Sequence, residues 1–204
     1  MPLTEPELTD VTLAVLAGGE GTRMGFAKGE LNIEGRPILS HLLERFAWPG
    51  WTLLVTAPGR EHPPGWEGFT REVSDPEAGQ GPLRGVLTAL EQARMPVVVV
   101  TAVDMPLVEA RHLHWVVSEL IRRPDVLGVM PKQMAVGGGQ VQPFPSAFRA
   151  EAAPVIARLL KTNRRSLHGL LGDGSFVAVD APAAWGDAVW TNLNTPGDVD
   201  ALGR

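Results

Sequence analysis

The sequence of 204 residues contains no cysteine, which excludes disulfide bonds, zinc ribbons and thiol nucleophiles. No basic segment followed by a short apolar segment opens the chain, so a secretory leader is not expected. No apolar run approaches the roughly 20 residues that a membrane-spanning helix requires. Together these absences predict a cytoplasmic protein that has no membrane partner.

Positive charge is scarce and scattered along the chain. Lysine and arginine number 18 against 23 aspartates and glutamates, giving a formal net charge of −5, and the basic residues form no tract. A polymeric nucleic acid is therefore not an expected partner, because binding to its phosphates depends on concentrated positive charge. The 44% hydrophobic content and the chain length suit a single globular domain over residues 1–204, with a true core.

Strand patterns and helical patterns alternate along the sequence. Strands are predicted at 11–17, 51–57, 70–73, 96–104, 125–130 and 175–180, and a turn leads into a further strand within 137–144. Helices are predicted at 37–48, 82–93, 110–122, 148–161, 164–171 and 195–203. This alternation predicts an α/β fold, Rossmann-like and doubly wound, with a mainly parallel sheet. The four consecutive valines Val97 to Val100 predict a strand in the middle of that sheet.

The first predicted strand runs into a glycine-rich stretch, LAGGEGTRMGFAK. Ligands of doubly wound sheets bind at the carboxyl ends of the strands, and a glycine-rich backbone there brings N–H groups close to phosphate oxygens. Gly18, Gly19 and Gly21 would form such a loop, and Arg23 and Lys28 would add mobile positive charge. The alternative is a tight turn whose basic side chains are simply solvated.

Two common phosphate-binding loops do not match this stretch. A Walker loop requires serine or threonine after its lysine, but Gly29 follows Lys28. The dinucleotide fingerprint G-x-G-x-x-G has two residues in its last gap, whereas Gly21 and Gly25 are separated by three. An NAD-dependent oxidoreductase is therefore disfavoured.

Asp104 closes the valine-rich strand. A carboxylate at the end of a central strand faces the ligand side of the sheet and supplies the hard oxygen that Mg²⁺ prefers. The alternative is that Asp104 caps the following turn. Histidines do not suggest a metal site, because His112 and His114 lie two residues apart on a predicted helix and point in different directions. We expect both histidines to be surface or packing residues.

The order of these motifs resembles the nucleotidyltransferases that transfer a nucleoside monophosphate, and within them the molybdenum cofactor guanylyltransferases. The loop LAGGEGTRMG, followed by Lys28 and GRPIL, is similar to the family's signature loop. Asp75 with GPLRG, and the segment AVDMPLV that contains Asp104, resemble its next two segments. The segments QPFPSAFR, NRRSLHGLL and TNLNTPGDV follow in the family's order, so the resemblance extends over nearly the whole chain.

The resemblance implies a fold of the nucleotide-diphospho-sugar transferase type, with a nucleotide-binding part at about 11–107 and an acceptor-binding part at about 108–195. It implies Mg²⁺-dependent transfer of GMP from GTP to the phosphate of molybdopterin or Mo-molybdopterin, with release of pyrophosphate. GTP and molybdopterin are the implied small-molecule substrates. Proteins that deliver molybdenum or that receive the finished cofactor are further candidate partners.

The resemblance also assigns roles to individual residues. Arg23, Lys28 and Asp104 are the implied catalytic residues, with the two cations at the β and γ phosphates and Asp104 as the metal ligand. No general base is required, because a phosphate monoester is already largely ionised at neutral pH. The implied nucleotide-binding residues are Leu16, Ala17, Gly18, Gly19, Gly21, Arg23, Lys28, Asp75, Gly81, Pro82, Leu83 and Gly85.

The implied acceptor-binding residues come from the last third of the chain. Arg164, Arg165 and Ser166 are candidates for the acceptor phosphate, although an arginine pair at the start of a helix is also typical of a solvated surface. The resemblance places Asn192 and Asn194 at the active site, near the metal or the pterin.

Structural alternatives remain for two other segments. Thr195 is well suited to be a helix N-cap, since Asp198 lies three residues after it. The three glycines at 137–139 are typical of a flexible turn, and a lid over the pterin is the alternative.

One corner of the glycine-rich loop departs from the family pattern. The sequence Gly-Phe-Ala-Lys at 25–28 stands where the family commonly has Gly-x-Asp-Lys. Cytidylyl or sugar-phosphate nucleotidyl transfer on the same fold therefore stays open, as does a nucleotide-binding module without turnover. Cytidylyl enzymes more often have Leu-Ala-Ala-Gly where this chain has Leu16-Ala17-Gly18-Gly19, and the glycine at position 18 favours guanine.

Overall fold

A computed structural model of the chain describes residues 8–18, 28–134, 139–162, 164–195 and 197–199. The strands in these residues are β1 (Val11–Leu16), β2 (Asn32–Ile33), β3 (Arg36–Pro37), β4 (Thr52–Thr56), β5 (Arg71–Ser74), β6 (Val97–Ala102), β7 (Gly128–Gln133), β8 (Gln140–Val141), β9 (Ser146–Arg149) and β10 (Phe176–Asp180). The α-helices are α1 (Ile38–Phe46), α2 (Pro82–Gln92), α3 (Ala110–Ile121) and α4 (Ala153–Lys161).

Eight of the strands form one sheet in the order β10, β7, β9, β6, β1, β4, β5, with β8 beside β7. β1 pairs in parallel with β4 and β6, β4 with β5, and β7 with β10. β9 is antiparallel to both of its neighbours, β6 and β7. The predicted α/β fold with a mainly parallel sheet is confirmed, and the carboxyl ends of β1, β4, β5 and β6 meet at one edge.

The centre of the sheet consists of the two most apolar strands. All six residues of β1 are buried, and Val97 to Val100 of β6 are at most 7% exposed. Each residue from Val11 to Leu16 pairs in register with one from Val97 to Ala102. An uninterrupted apolar strand suits this position because both of its faces are covered, so the predicted central place of the valine-rich strand is confirmed.

The first three α-helices lie close to their predicted positions because each has an apolar stripe. In α1, for example, Ile38, Leu39, Leu42 and Phe46 are buried, and the helix begins directly after Pro37. The longest α-helix among the described residues, α3, has 12 residues. No helix in this part of the chain has both the length and the apolar character that crossing a bilayer would demand.

The prediction of one helix over 148–161 is wrong in its first part. Phe148 and Arg149 belong to β9, a short 3-10 helix follows at Ala150–Ala152, and α4 begins only at Ala153. The Phe148 ring is fully buried and fills the space above Gly128 of β7, where a Cβ atom would lie 2.6 Å from the ring. Pairing within the sheet therefore outweighs the helical tendency of this alanine-rich stretch.

Two other segments also differ from the expected elements. The helix predicted at 164–171 is a 3-10 helix, Leu167–Gly172, whose N-cap Ser166 accepts a hydrogen bond from the backbone of His168. The strand predicted at 125–130 begins at Gly128 and extends to Gln133, because its later residues pair with β8 and β10. Residues 197–199 are helical, as expected for the last predicted helix.

Candidate active site

A cavity of about 560 Å³ opens at the carboxyl edge of the sheet. The ends of β1, β4 and β6, the loop after β5 and the start of α2 form its walls. Ten of the residues that the sequence singles out line it, namely Leu16, Gly18, Lys28, Asp75, Gly81, Pro82, Gly85, Asp104, Asn192 and Asn194. The volume and the mixture of apolar and polar walls are typical of a small-molecule site.

Lys28 lies at the centre of the polar part of this cavity. Its Nζ donates to Asp104 Oδ2 at 2.5 Å and to Asn194 Oδ1 at 2.9 Å. The side chains of Lys28 and Asp104 are 17% and 18% exposed, so the ion pair is largely shielded from water. The pair brings a cation and a carboxylate together within the cavity, so Asp104 is not simply a turn cap.

A backbone contact brings the two asparagines to this point. Leu193 is buried, and its N–H donates to the Asp104 carbonyl at 2.8 Å. Asn192 and Asn194, on either side of Leu193, line the cavity. The main chain between the end of β6 and this late segment therefore fixes where the asparagine side chains lie.

The residues after Asn194 form the helix cap that the sequence predicted. Asp198 accepts hydrogen bonds from the backbone N–H groups of Asn194 and Thr195, each at 2.8 Å, and its own N–H donates to Thr195 Oγ1. These bonds lower the pKa of the Asp198 carboxyl, with the Asn194 N–H the largest cause. The cap fixes the backbone of Asn194, whose side chain contacts Lys28.

Asp75 lies at the end of β5, on the other side of the cavity. Its N–H donates to the Thr56 carbonyl at 2.8 Å, and its carboxylate accepts from Thr88 Oγ1 on α2 at 2.5 Å. Burial raises the pKa of Asp75 above its ordinary 3.8, and the Thr88 hydroxyl opposes this rise. A Cβ added at Gly18 or Gly85 would lie 3.7 Å from Asp75 Oδ2, so both glycines leave the carboxylate open to the cavity.

The start of α2 is held close to the sheet. Gly81 adopts the left-handed value φ +75, and a Cβ at this position would lie 3.0 Å from the carbonyl oxygen of Arg165. That same carbonyl accepts from the Leu83 N–H, and the Arg165 guanidinium donates to the Gly79 carbonyl at 3.0 Å. Arg165 therefore holds the loop before α2 in place.

Not every residue singled out from the sequence lines the cavity. Ala17 and Leu83 are buried in the core at 4% and 0% exposure. Arg164, Arg165 and Ser166 are exposed residues outside the cavity lining. Gly19, Gly21 and Arg23 lie outside the described residues, as do Gly137 and Gly138 of the glycine triplet.

The cavity also has walls to which the sequence gave no role. Residues 77–80 form one of them, and Gln142, Pro143 and Phe144 form another. The first wall could have been anticipated, since a short loop between a strand and the predicted start of a helix must cross the ligand edge. The second wall opens the segment QPFPSAFR, which matches the family in order but received no role of its own, and the helical pattern predicted from residue 148 hides the antiparallel strand β9 that follows it.

Asp104, the predicted metal ligand, is the cavity carboxylate that pairs with Lys28. Among the described residues, no group of three or more His, Cys, Asp and Glu side chains is arranged to hold a metal. Asp104 nevertheless fits Mg²⁺ that arrives with a nucleotide, because this ion commonly binds one or two carboxylates and takes its other ligands from phosphates and water. The contact between the Asp104 carboxylate and Lys28 shows that Asp104 faces the cavity.

The two helix histidines have packing roles. His112 is 1% exposed, its Nδ1 accepts from the backbone N–H of Glu109, and its ring contacts the Trp185 ring at 4.6 Å between centroids. Burial, with the nearby Arg111 charge, lowers the pKa of His112 to about 4. The His114 ring lies 5.7 Å from the Trp48 ring, and burial lowers its pKa as well. The expectation that both are surface or packing residues is confirmed.

Comparisons with known proteins identify the family of the chain. The family model for the MobA-like NTP transferase domain matches residues 13–175. A molybdenum cofactor guanylyltransferase of Pseudomonas putida is 32% identical, with 93% of this chain and 95% of the relative covered. A probable molybdenum cofactor guanylyltransferase of Deinococcus radiodurans is 29% identical, with 94% and 93% covered.

Solved structures show the same fold. The molybdopterin-guanine dinucleotide biosynthesis protein A of Archaeoglobus fulgidus superposes with a TM-score of 0.76 at 23% identity, covering 94% of this chain and 96% of that one. The 2-C-methyl-D-erythritol 4-phosphate cytidylyltransferase of Thermus thermophilus has a TM-score of 0.67 at 19% identity, covering 93% and 96%. The expected nucleotide-diphospho-sugar transferase type of fold is confirmed. With the family model matching most of its length, the chain belongs to the MobA-like NTP transferase domain family and is a nucleotidyltransferase.

Proposed function

We propose that this nucleotidyltransferase transfers GMP from GTP to the phosphate of molybdopterin or Mo-molybdopterin and releases pyrophosphate. The observation that carries the proposal is the placement of two carboxylates in one cavity, Asp75 after β5 and Asp104 after β6. β5 and β6 are three strand spacings apart, or about 14 Å, which is comparable to the length of an extended nucleoside triphosphate. Asp75 would then meet the base while Asp104 and Lys28 meet the phosphates.

Asp75 supports guanine as the base. An ionised carboxylate only accepts hydrogen bonds, and the edge of guanine presents two neighbouring donors, the N1–H and the exocyclic amine. Cytosine presents an amine beside an unprotonated ring nitrogen, which a carboxylate would repel. Gly18 and Gly85 carry no side chain beside Asp75 Oδ2, so a planar base has access to the carboxylate.

Lys28 and the glycine-rich loop support the triphosphate end. Gly18 and Lys28 line the cavity, and the glycine-rich stretch of the sequence with Gly19, Gly21 and Arg23 lies between them in the chain. The ammonium of Lys28 would donate to β and γ phosphate oxygens, with Arg23 adding charge. Asp104 would hold Mg²⁺, which when bound neutralises the charge that develops on the leaving pyrophosphate.

The reaction then needs positioning more than proton transfer. An oxygen of the acceptor phosphate forms a bond to the α-phosphorus of GTP while the bond from that phosphorus to the bridging β-phosphate oxygen breaks. The attacking oxygen is already ionised at neutral pH, so no proton has to be removed. The described residues contribute by holding two anions in line and by compensating their charge.

The acceptor is proposed to lie beside Asn192 and Asn194, within the part of the chain from about 108 to 195. Both asparagines line the cavity next to the Lys28–Asp104 pair. Arg164 is proposed as a cation for the acceptor phosphate. Arg165 and Ser166 are proposed to act less directly, since their recorded hydrogen bonds hold the Gly79 loop and the start of a 3-10 helix.

The test is a pyrophosphate-release assay with molybdopterin, Mg²⁺ and one of GTP, CTP, ATP or UTP. Release with GTP, dependent on molybdopterin, is the expected result. Release with CTP alone would overturn guanine and support a cytidylyltransferase. If GTP binds but no pyrophosphate is released under any condition, the protein is a nucleotide-binding module without catalytic turnover.

A further inference from the structure

Gln142 forms part of the cavity wall near β7 and β8. It follows β8, its N–H donates to the Pro131 carbonyl at 2.8 Å, and its side chain is half-buried. β7 and β8 lie on one side of β6 in the sheet, whereas β4 and β5 lie on the other. Gln142 therefore lines the cavity on the side away from the proposed base position.

A chain of three side chains fixes the orientation of the Gln142 amide. The Gln133 Nε2 donates to Asp187 Oδ1 at 2.9 Å, and the Gln142 Nε2 donates to Gln133 Oε1 at 2.7 Å. An ionised carboxylate can only accept, so Asp187 forces the amide nitrogen of Gln133 toward itself. The Gln133 oxygen must then face Gln142, which forces the amide nitrogen of Gln142 toward Gln133.

This order leaves one atom of Gln142 for a ligand. Gln133 and Asp187 do not belong to the cavity lining, whereas Gln142 does. None of the described residues donates a hydrogen bond to the Gln142 Oε1. Pro143 and Phe144 follow along the same wall and offer apolar surface next to this oxygen. The wall thus combines one hydrogen-bond acceptor with a surface suited to a flat ring.

We propose that the Gln142 Oε1 accepts a hydrogen bond from a ring N–H or amino group of the acceptor's pterin, and that Gln133 and Asp187 are positioning residues that hold this oxygen toward the ligand. The identity of the acceptor rests on the proposed function, and the assignment of Gln142 to the acceptor rather than to the base rests on the sheet order. Gln142 then selects for a nitrogen heterocycle with an exposed donor.

The first experiment measures ligand binding and does not depend on turnover. Neopterin monophosphate, a fluorescent pterin with a phosphate ester, is titrated into the wild-type protein and into Gln142→Leu, and GTP is titrated in parallel. Gln142→Leu removes the acceptor, and we expect about tenfold weaker binding of the pterin because its donor is left unpaired. GTP affinity should change less than twofold. Loss of GTP affinity with unchanged pterin affinity would place Gln142 at the nucleotide and overturn the proposal.

The second experiment tests the orientation itself. Asp187→Asn lets Gln133 and then Gln142 rotate, because the introduced amide can donate as well as accept. We expect pterin binding to weaken several-fold. Adding Gln133→Glu restores the orientation of Gln142, because the introduced carboxylate can only accept hydrogen bonds, both from the amide at position 187 and from Gln142. The net charge of the double variant equals that of the wild type. Recovery in the double variant is expected, and a merely structural role for Asp187 would leave the double variant as weak as the single one.

The outcomes separate this inference from the proposed function. A wild-type protein that binds the pterin through Gln142 but releases no pyrophosphate with GTP and molybdopterin contradicts the proposed function and leaves the inference standing. The inference alone is contradicted if the protein turns over GTP with molybdopterin but its affinity for the pterin stays the same in Gln142→Leu, in Asp187→Asn and in the double variant. Failure of the wild type to bind neopterin monophosphate also counts against the inference.

Discussion

The two sides of the sheet build the cavity in different ways. On the side of β1, β4, β5 and β6, the two aspartates of the cavity come soon after the strands that position them, Asp75 directly after β5 and Asp104 two residues after β6. On the side of β7 to β10, the cavity residues are brought in by contacts between distant segments. Leu193 donates to the Asp104 carbonyl, and His168 Nε2 donates to the Val141 carbonyl at 2.9 Å.

This difference separates local from non-local causes. A parallel strand fixes the place of the residue that follows it, so the first side of the site is encoded by short stretches of sequence. The second side depends on hydrogen bonds between segments that are far apart in the chain. We therefore expect substitutions on the first side to impair chemistry and nucleotide binding while the fold survives, and substitutions on the second side to act through packing and alignment.

The largest effect is expected from Asp104→Asn on the first side. The amide is nearly isosteric but has lost the charge that pairs with Lys28 and would hold Mg²⁺, so turnover should fall by about 10³-fold. Thermal unfolding should show a folded protein. Asp180→Asn is the matched control, because it removes the exposed carboxylate paired with Lys132 at 3.5 Å. Turnover by Asp104→Asn near the wild-type rate would remove this residue from the mechanism.

Phe148→Ala tests the packing of the second side. Phe148 belongs to β9, the strand between β6 and β7. Its ring is fully buried and contacts the Phe176 ring at 6.4 Å between centroids. Truncation should destabilise the protein by about 3 to 5 kcal/mol, measured by denaturant unfolding. Phe148→Leu retains most of the volume and should cost distinctly less. Equal stability of Phe148→Ala and the wild type would contradict the assignment of Phe148 to the sheet interior.

Asp75→Asn should separate stability from function on the first side. Because burial raises the pKa of Asp75, the folded state binds more protons just above pH 3.8 than the unfolded chain does. At neutral pH the ionised Asp75 carboxylate therefore lowers the stability of the folded state. The asparagine variant should therefore melt at the same temperature or higher. Its kcat/KM for GTP should fall by about 10²-fold, since an amide cannot accept both guanine donors through one group.

The pH dependence provides a second measurement for Asp75. The kcat/KM of the wild type for GTP should decrease as the pH falls through the raised pKa of this carboxyl, and the Asp75→Asn variant should lack that step. Glu77→Gln is a suitable control, because Glu77 lines the same wall of the cavity and is exposed. A GTP preference that survives in Asp75→Asn would indicate that another group selects the base.

The same contrast explains what could be predicted from the sequence. The valine-rich strand, the strand before the glycine-rich stretch and the place of Asp104 follow from local patterns, because an apolar run is long enough to predict a buried strand and Asp104 lies two residues after the end of β6. The start of β9 could not be predicted. Ala147 and Phe148 are compatible with a helix, and only the gap between β6 and β7 makes them a strand.

On the acceptor side, the roles of individual residues could not be predicted from the sequence for the same reason. The sequence leads one to expect Arg165 and Ser166 at a phosphate, but nothing local indicates that Arg165 donates to the Gly79 carbonyl, 86 residues away. The orientation of Gln142 has no local signal either, since it depends on Gln133 and Asp187. Residues whose partners lie on other elements become visible only when the fold is known.

The smallest effect at neutral pH is expected at His112, where the second side packs on α3. The folded protein lowers the pKa of His112 from 6.5 to about 4, so the unfolded chain binds more protons between these values. Stability should be complete above pH 6.5 and should decrease by up to about 3 kcal/mol as the pH falls toward 4. His112→Gln retains an acceptor for the Glu109 N–H but does not titrate, so its unfolding free energy should depend less on pH.

The matched variant for this measurement is His114→Gln, on the same helix. Burial lowers the pKa of His114 as well, but its ring packs on Trp48 and does not accept the N–H that begins α3. We expect the pH slope of unfolding, measured in urea at pH 4 to 7, to change less than in His112→Gln. An unchanged pH slope in His112→Gln would show that protonation of His112, whose ring contacts Trp185, does not cause the loss of stability at low pH. Acid would then destabilise the second side through another contact.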